Sequence, residues 1–585
     1  MGTPNLGWRP KKVLLVIGAG ITLVAGAVPA LAAGDTLVSI GSPAGPFSQN
    51  KQNEPALAVD ANHPNILAAG ANEEIDEEAC NAGDPTTCPF TPGVGVSGIY
   101  FSFNSGATWT QPTYQGLTAR DCVTPGTPCT AHTGPIGTLP KYYQAGLASD
   151  GDPALAFGPR PGASGTFSWG NGSRLYYANL TSNLNAKRDE TFKGFEGIAV
   201  SRTDNVLAAA AGNANAWMAP VIASKQSSTT FSDKEQIWAD NASSSPFFGN
   251  VYVCNAAFRG QEKSGNAAPA PLIVLTSSDG GATWTSQQVS GAANNRNSNP
   301  PDGCTIRTDS HGVVYVFGIG TGPNKQTGEL LSRSFDGGKS FEGFRFLFPV
   351  VRPGVFDAAL GRPVMDGIAG ARVDLAAAPS VDIANGAPTG ADASNELLIN
   401  WADGADGLNH EKSLVRYSTN QGLTWSGPIT ASAGPDRPFY TAISISPNGT
   451  DAYLVYDAYL AVYQSTTSTQ RPMQAVVKHA DIASGGAPGV FGELNRGAAG
   501  DARASSQNGL TAEFFGDYVY TVATRSYGSA VWNDVRNGAD CPAIDAYRAA
   551  VEGGPSAPRP AVQEECAPNF GNTDIYGGTY ADPTP

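Results

Sequence analysis

The stretch Ser277-Ser-Asp-Gly-Gly-Ala-Thr-Trp284 recurs, with small changes, three more times in this 585-residue chain. The other copies run from Ser102 to Trp109, from Ser334 to Phe341 and from Ser418 to Trp425. Their shared pattern is Ser-x-Asp/Asn-x-Gly-x-Thr/Ser-aromatic. The Asp or Asn side chain can bond the backbone of a tight turn, the Gly can take the positive φ of a hairpin, and the Thr and the aromatic residue re-enter a strand. Four copies of one turn predict a fold built from repeated hairpin units.

A second element recurs upstream of these turns. Each unit opens with an acidic residue, which is followed by an apolar strand, a turn and another strand. The seven opening acids are Glu54, Asp152, Asp233, Asp302, Asp366, Asp436 and Asp517. Units of four short strands joined by Gly-rich turns are typical of propeller blades. The sequence therefore predicts an all-β fold, a β-propeller of four-stranded antiparallel blades, with seven blades favoured and six as the alternative.

The composition agrees with a β-rich fold and excludes two classes of partner. Charged residues make up 15% of the chain, and it contains 70 Gly and 43 Pro. Helical bundles are poorer in Gly and Pro and richer in charge. The formal net charge of −15 argues against nucleic acid and against an anionic membrane surface, since both require a basic protein face.

The first 32 residues have the layout of a secretory signal peptide. Three basic residues at positions 9–12 precede an apolar stretch from Val13 to Val28, and Ala30-Leu31-Ala32 offers a small-x-small cleavage site. An uncleaved membrane anchor is the alternative. We expect residues 33–585 to form a single propeller domain, with a C-terminal tail from about 577 to 585. We also expect a secreted monomer that has no membrane contact after cleavage.

Eight cysteines in an exported chain predict disulfides. Proximity in sequence suggests four pairs: Cys80 with Cys88, Cys122 with Cys129, Cys254 with Cys304, and Cys541 with Cys566. The spacing of the cysteines and of the five scattered histidines does not indicate a zinc site.

The tandem turn resembles the Asp-box, or bacterial neuraminidase repeat, of the sialidase superfamily, and the resemblance covers Glu54 to about Tyr576. It implies that the boxes lie at outer hairpins and are structural. It also implies an exo-α-sialidase-type glycoside hydrolase, in which three arginines hold the substrate carboxylate, a tyrosine activated by a glutamate attacks, and an aspartate protonates the leaving oxygen. The early Phe-Arg-Ile-Pro-type motif of that family is missing here, because the first arginine after the signal peptide is Arg120.

The phase of the repeat selects candidate residues for such chemistry. Units six and seven are adjacent in the ring, so the residues at their openings share one mouth of the channel. The predicted catalytic group is Asp436, Arg437, Tyr440, Glu513, Asp517 and Tyr518. The predicted substrate-binding residues are Arg362, Arg525 and Arg536. The alternatives are ion pairs at the surface or between blades for the arginines, and packing between blades for the tyrosines.

Three further questions stay open at this level. We expect no required cofactor, although Ca²⁺ could be bound by the ring of opening acids, by the loop from Glu73 to Glu78 or by Asp403 and Asp406; solvated loops are the alternative for the last two. The expected partner is an extracellular glycan. The alternatives to a sialidase are another carbohydrate-active enzyme (a polysaccharide lyase or hydrolase) and a non-catalytic propeller that binds glycans or proteins.

Overall fold

Seven antiparallel sheets are arranged as the blades of a propeller. The computed structural model describes residue 2 and residues 34–82, 88, 90–127, 129–185, 187–260, 269–293 and 300–585. In blades 1 to 6 the strands follow one another in chain order from the inside outwards, and blade 7 takes its outermost strand from the N-terminal side of the chain. The innermost strand of each blade contacts that of the next, and the strand of blade 7 contacts that of blade 1. This closed ring confirms the prediction of seven blades.

Each blade runs from an innermost strand to an outermost strand. In that order, blade 1 contains Gln52–Val59, Leu67–Glu73 and Ser97–Ser102. Blade 2 contains Ala154–Pro161, Phe167–Asn183, Gly197–Thr203 and Val221–Ile222. Blade 3 contains Thr230–Ala239, Val251–Arg259, Leu272–Ser277 and Thr285–Gln288. Blade 4 contains Asp302–Thr308, Val314–Thr321, Thr327–Ser334 and Arg345–Pro349. Blade 5 contains Ser380–Ile383, Leu397–Asp403, Lys412–Ser418 and Ile429–Thr430. Blade 6 contains Arg437–Ile445, Asp451–Tyr459, Pro472–Asp481 and Gly492–Arg496. Blade 7 contains Tyr520–Ala523, Tyr527–Asp534, Asp574–Ala581 and Thr36–Leu37.

Both ends of the described domain meet in blade 7. Thr36 and Leu37 pair with Gly577 and Tyr576, so a strand from the N-terminal side closes the ring. The last strand runs to Ala581, so the tail begins at Asp582 rather than at about 577. The predicted signal peptide lies outside the described residues except for Gly2.

The four boxes form the same outer turn. In blade 3, Asp279 accepts hydrogen bonds from the backbone N–H of Ala282 (3.0 Å) and Thr283 (2.9 Å). Gly281, at φ 80°, donates its N–H to Ser277 Oγ (2.8 Å). The ring of Trp284 is 6% exposed and belongs to the apolar layer between blades 2 and 3. Similar layers separate the other blades, so the core of the fold lies between the sheets.

Elements outside the blades are short. The additional strands are Leu147–Ser149 and Gly500–Asp501, with the hairpins Tyr114–Thr118/His132–Ile136 and Val355–Asp357/Arg362–Val364. In the part of the chain that the structure describes, the α-helices are Tyr142–Ala145, Val206–Ala210, Pro542–Val551 and Val562–Glu565, and the 3₁₀ turns are Ala214–Ala216 and Ala502–Ala504. Among the described residues, none of these helices is long and apolar enough to cross a membrane.

The four disulfides join the predicted pairs. The bond from Cys254 to Cys304 links the second strand of blade 3 to the inner strand of blade 4. The bond from Cys541 to Cys566 closes a helical insertion between two strands of blade 7.

Candidate functional site at the front mouth

In four blades, one residue in or just before the inner strand has the same unusual backbone conformation. Glu54, Asp152, Lys234 and Gly303 have φ values of 54°, 50°, 59° and 54°. In blades 1, 3 and 4 this residue lies at a bulge, where the pairing with the second strand shifts register. A positive φ is strained for residues other than Gly, and such strain clusters at functional sites. We call this end of the channel the front mouth.

Two cations at the front mouth bind carboxylates from several blades. Lys234 Nζ lies 3.0 Å from Asp152 Oδ2, 3.4 Å from Asp233 Oδ1 and 2.7 Å from Asp517 Oδ2. Arg372 Nη2 lies 2.6 Å from the same oxygen of Asp517 and 3.3 Å from Glu54 Oε1. Like charges this close would repel each other, so the lysine and the arginine hold the acids of the inner strands together.

These acids differ in their protonation. Burial raises the pKa of Asp233 to about 7; Lys234 acts in the opposite direction, and the negative charge of Asp152 adds to the rise. Burial also acts to raise the pKa of Asp517, but Arg372 and Lys234 outweigh it and hold that pKa below its ordinary value. One mouth therefore contains a carboxyl group that is protonated near neutral pH and a carboxylate that stays ionised, which is the arrangement that divides acid and base roles.

An open cleft of about 950 Å³ leads to these groups. Arg352, Arg362 and Arg372 line it, together with Asp374. Arg352 Nε donates to the backbone oxygen of Asp374 (2.9 Å), and Arg362 Nε lies 3.6 Å from Asp374 Oδ2. Arg362 and Phe356 lie on the hairpin that forms one wall, with 39% of the Arg362 side chain and 70% of Phe356 exposed. The cleft thus offers guanidinium groups for an anion and an exposed ring for an apolar face.

Of the predicted catalytic residues, three lie at or behind this cleft. Asp517 lines it. Tyr518 and Tyr440 line the narrower channel of about 80 Å³ behind it. Tyr440 is 1% exposed, and its hydroxyl lies 2.5 Å from the backbone oxygens of both Arg372 and Gly516. Burial raises the pKa of both tyrosines well above the ordinary value, so neither phenol ionises readily.

The structure does not bring the other three predicted residues into the cleft. Asp436 faces the outer strand of its own blade, where Arg496 donates to both of its oxygens at 3.0 Å. Arg437 is 1% exposed and pairs with Asp366 (3.0 Å) and Glu411 (3.2 Å). Two acids of the expected ring, Asp366 and Asp436, are therefore absent from the front mouth, because the chain before blades 5 and 6 directs them elsewhere.

Glu513 belongs to the same buried network as Arg437. Arg471 Nη1 lies 2.5 Å from Glu513 Oε1, and the hydroxyl of Tyr459 donates to Glu513 Oε2 (2.9 Å). The Tyr459–Glu513 pair has the composition of a nucleophile and its activating base. However, Tyr459 is 1% exposed and burial raises its pKa well above the ordinary value. This pair stabilises the packing of blades 6 and 7.

Of the three predicted substrate-binding arginines, only Arg362 lines the cleft. Arg525 lies at the opposite mouth, where it binds both oxygens of Asp392 (2.9 and 2.7 Å). Arg536 lies at the outer edge of blade 7 and pairs with Asp35 (2.7 Å) and Asp534 (2.6 Å). Sequence reasoning missed the roles of Lys234 and Arg372, although both residues stand within the repeated unit openings.

The acidic segments considered for Ca²⁺ have partners within the protein. The segment from Glu73 to Glu78 is mostly buried rather than a solvated loop; Asp76, for example, pairs with Arg120. Asp406 pairs with Lys412, and Asp403 accepts from the indole of Trp401 (2.8 Å). Elsewhere among the described residues, one group with ligand atoms within 4.8 Å of one another could hold a cation: Asp451, His479, Asp481 and Asp582.

Comparison with known proteins yields structural neighbours only. No model of a known protein family matches the chain, and no curated protein matches it. Neighbours among solved structures include sialidases and trans-sialidases. A Hadza microbial sialidase is 11% identical with a TM-score of 0.38, covering 70% of this chain and 63% of its own. A leech intramolecular trans-sialidase is 12% identical with a TM-score of 0.40, covering 72% of this chain and 66% of its own. A Dyadobacter fermentans protein of unknown function is 14% identical with a TM-score of 0.37, covering 76% of this chain and 97% of its own. The chain spans less than two thirds of the first two, and these values assign no activity.

Proposed function

We propose that this chain is a glycoside hydrolase that acts on a carboxylate-bearing sugar of an extracellular glycan. The observation that carries the proposal is the pairing of Asp233 and Asp517 on one lysine, with opposite shifts of their pKa values. Four disulfides are consistent with action outside the cell. The resemblance of the repeated box to that of sialidases makes sialic acid the first sugar to test.

Each carboxyl group has a distinct role in this reaction. Asp233, protonated near neutral pH, donates its proton to the glycosidic oxygen as the bond to the anomeric carbon breaks. The ionised Asp517 stabilises the positive charge that develops on the sugar ring. Water then adds to the anomeric carbon and gives a proton to Asp374, whose side chain is 37% exposed in the cleft. Among the described residues the cleft lining contains no tyrosine, so this scheme has no tyrosine nucleophile.

The three arginines select an acidic substrate. Arg362 is accessible to a ligand, since its closest acidic partner is 3.6 Å away. Arg372 is bound to Asp517 and Glu54 and is 21% exposed. A guanidinium group can bind a carboxylate with two parallel hydrogen bonds, which favours a uronic or sialic acid over a neutral sugar.

A second candidate is a glycan-binding propeller without catalysis. It is favoured by the fact that Lys234 and Arg372 are already neutralised by acids of the inner strands. In that case the charge cluster would only fasten the ring of blades, and the outer arginines of the cleft would hold an acidic glycan.

The test compares three fluorogenic substrates with the purified protein. These are the 4-methylumbelliferyl glycosides of sialic acid, glucuronic acid and glucose. We expect one acidic glycoside to be cleaved at least tenfold faster than the glucoside, and Arg362→Ala to lower kcat/KM about tenfold. Arg525→Ala is the matched control, because that arginine is 38% exposed, compared with 39% for Arg362, and lies at the opposite mouth.

The outcomes separate the two candidates. Equal cleavage of the glucoside, or an equal effect of the two arginine variants, would contradict the proposal. Absence of cleavage together with Arg362-dependent binding of an acidic oligosaccharide would favour the binding propeller.

A further inference from the structure

The channel opens at its other end into a separate cavity. We call this end the back mouth; it lies where the inner strands end. The cavity has a volume of about 190 Å³, and residues of all seven blades line it. It is distinct from the front cleft in its lining and in its chemistry, because most of its wall consists of apolar side chains such as Leu57, Phe157, Ile383 and Ile445.

One charged side chain faces this apolar cavity with unused hydrogen-bonding capacity. Arg307 is 7% exposed and lines the cavity. Its Nη1 donates to the backbone oxygen of Ile306 (2.8 Å), whereas its Nε has no hydrogen-bond partner among the described residues. Buried polar groups are normally satisfied, but Nε itself is shielded from the cavity, so a ligand there would meet the other guanidinium nitrogens of Arg307.

The neighbours of Arg307 hold it in place without satisfying it. Its guanidinium stacks on the ring of Trp238 at 4.6 Å, and the indole N–H of that residue is occupied by Thr308 Oγ1 (2.9 Å). Asp382 Oδ1 lies 3.5 Å from Nε, beyond good hydrogen-bond geometry, while Oδ2 accepts from the backbone N–H of Ile445 (3.0 Å). Burial raises the pKa of Asp382, and Arg307 acts in the opposite direction.

The size and lining of the cavity define the ligand. A dry cavity of about 150 Å³ admits a benzene ring, so about 190 Å³ admits one ring with a short acidic substituent. The apolar wall would take the ring, and the guanidinium of Arg307 would take the acid group. The other charged residues of this lining are Asp60, Asp382 and Arg525; Asp382 lies beside Arg307, and Arg525 is bound to Asp392.

We propose that the back mouth is a binding site for a small organic carboxylate with an apolar body, whose carboxylate accepts hydrogen bonds from Arg307. This site is independent of the hydrolase proposed for the front cleft. An aryl or alicyclic acid of the size of phenylacetate fits the cavity and places its carboxylate against the guanidinium of Arg307.

The test measures binding of phenylacetate to the purified protein by isothermal titration calorimetry. Two comparison compounds separate the requirements: phenylacetamide has the same shape without the charge, and acetate has the charge without the ring. We expect each to bind at least tenfold more weakly than phenylacetate. Equal binding of the amide, or no binding of phenylacetate at 10 mM (about the weakest affinity such a pocket would show), would overturn the proposal.

Two variants locate the site. Arg307→Gln should weaken phenylacetate binding at least tenfold. Because that arginine is buried and its loss could unfold the protein, Ala523→Phe provides a second test: Ala523 lines the cavity at the end of an inner strand, and the added ring fills the space. Arg362→Ala, at the front cleft, is the control and should change the affinity less than twofold. Retained binding in Ala523→Phe, or a loss in Arg362→Ala instead, would contradict the assignment.

Discussion

The pH dependence of hydrolysis tests the role of Asp233 directly. Its pKa of about 7 means that the protonated fraction falls from about nine tenths at pH 6 to about one tenth at pH 8. If Asp233 is the general acid, kcat/KM for the acidic glycoside should fall about ninefold to tenfold over this range. The measurement is the initial rate of 4-methylumbelliferone release at low substrate concentration, with the fluorescence read after quenching at one fixed pH.

Substitution of the same residue gives the magnitude of its contribution. Asp233→Asn retains the size of the side chain but cannot donate a proton, so we expect kcat/KM to fall by a factor of about 10² to 10⁴ at pH 6. The residual activity should no longer decline between pH 6 and pH 8.

A neighbouring acid serves as the matched variant. Asp302 lies at the bulge of the inner strand of blade 4, and Asp233 lies at the corresponding bulge of blade 3. The negative charge of Asp302 contributes to raising the pKa of Asp233. Asp302→Asn should therefore retain the decline in rate but move it to lower pH. A flat profile for the unmodified protein, or a decline at the same pH in Asp233→Asn, would refute the assignment.

The remaining predictions concern stability. Arg471→Met should lower the free energy of unfolding by about 3–5 kcal/mol, because it leaves Glu513 buried without its cation. Arg525 is more exposed, so Arg525→Met should lower it by about 1 kcal/mol or less. Urea unfolding measures both values, and equal effects of the two variants would contradict the prediction. Asp279→Ala should cost about 1–2 kcal/mol through loss of the turn hydrogen bonds, while Asp279→Asn should keep most of the stability in the same assay. Burial raises the pKa of Glu73 from 4.5 to about 7, so the contribution of its protonated form to the unfolding free energy is fully present below about pH 4.5 and is lost as the pH rises to 7. Glu73→Gln should flatten this fall in unfolding free energy by up to about 1.4 kcal/mol per pH unit. Parallel curves of unfolding free energy against pH for the two proteins would refute this prediction.

The features that were predicted correctly from the sequence are those that depend on contacts between residues close together in the chain. The box from Ser277 to Trp284 specifies its own turn, because the side chain of Asp279 bonds the backbone within four residues. Seven repeated units, four of which carry this box, leave few architectures other than a closed ring. The disulfides followed from sequence separation, since pairs such as Cys122 and Cys129 close short loops.

The candidate site was harder to predict because it depends on side-chain direction at single positions. A shift of one residue in a strand turns a side chain to the other face. Asp436 immediately precedes the inner strand of blade 6, yet it pairs with Arg496 on the outer strand. Arg525 and Arg362 look equivalent as arginines in loops, but they lie at opposite mouths because they flank opposite ends of the blades.

The front mouth shows how a repeated position acquires a different residue. Blades 1 and 2 place Glu54 and Asp152 at the position of positive φ, and blade 3 places Lys234 there. A third acid at that position would add to the repulsion within the ring, whereas the lysine reaches three carboxylates within 3.4 Å. Asp233, one residue earlier, is buried, and this burial raises its pKa to about 7; the charges of Asp152, Asp302 and Asp517 add to the rise, whereas Lys234 acts against it. The lysine therefore accounts for the way the acids of the front mouth are held together, whereas burial, with the charges of the neighbouring acids, accounts for the protonated carboxyl group that the proposed hydrolysis requires.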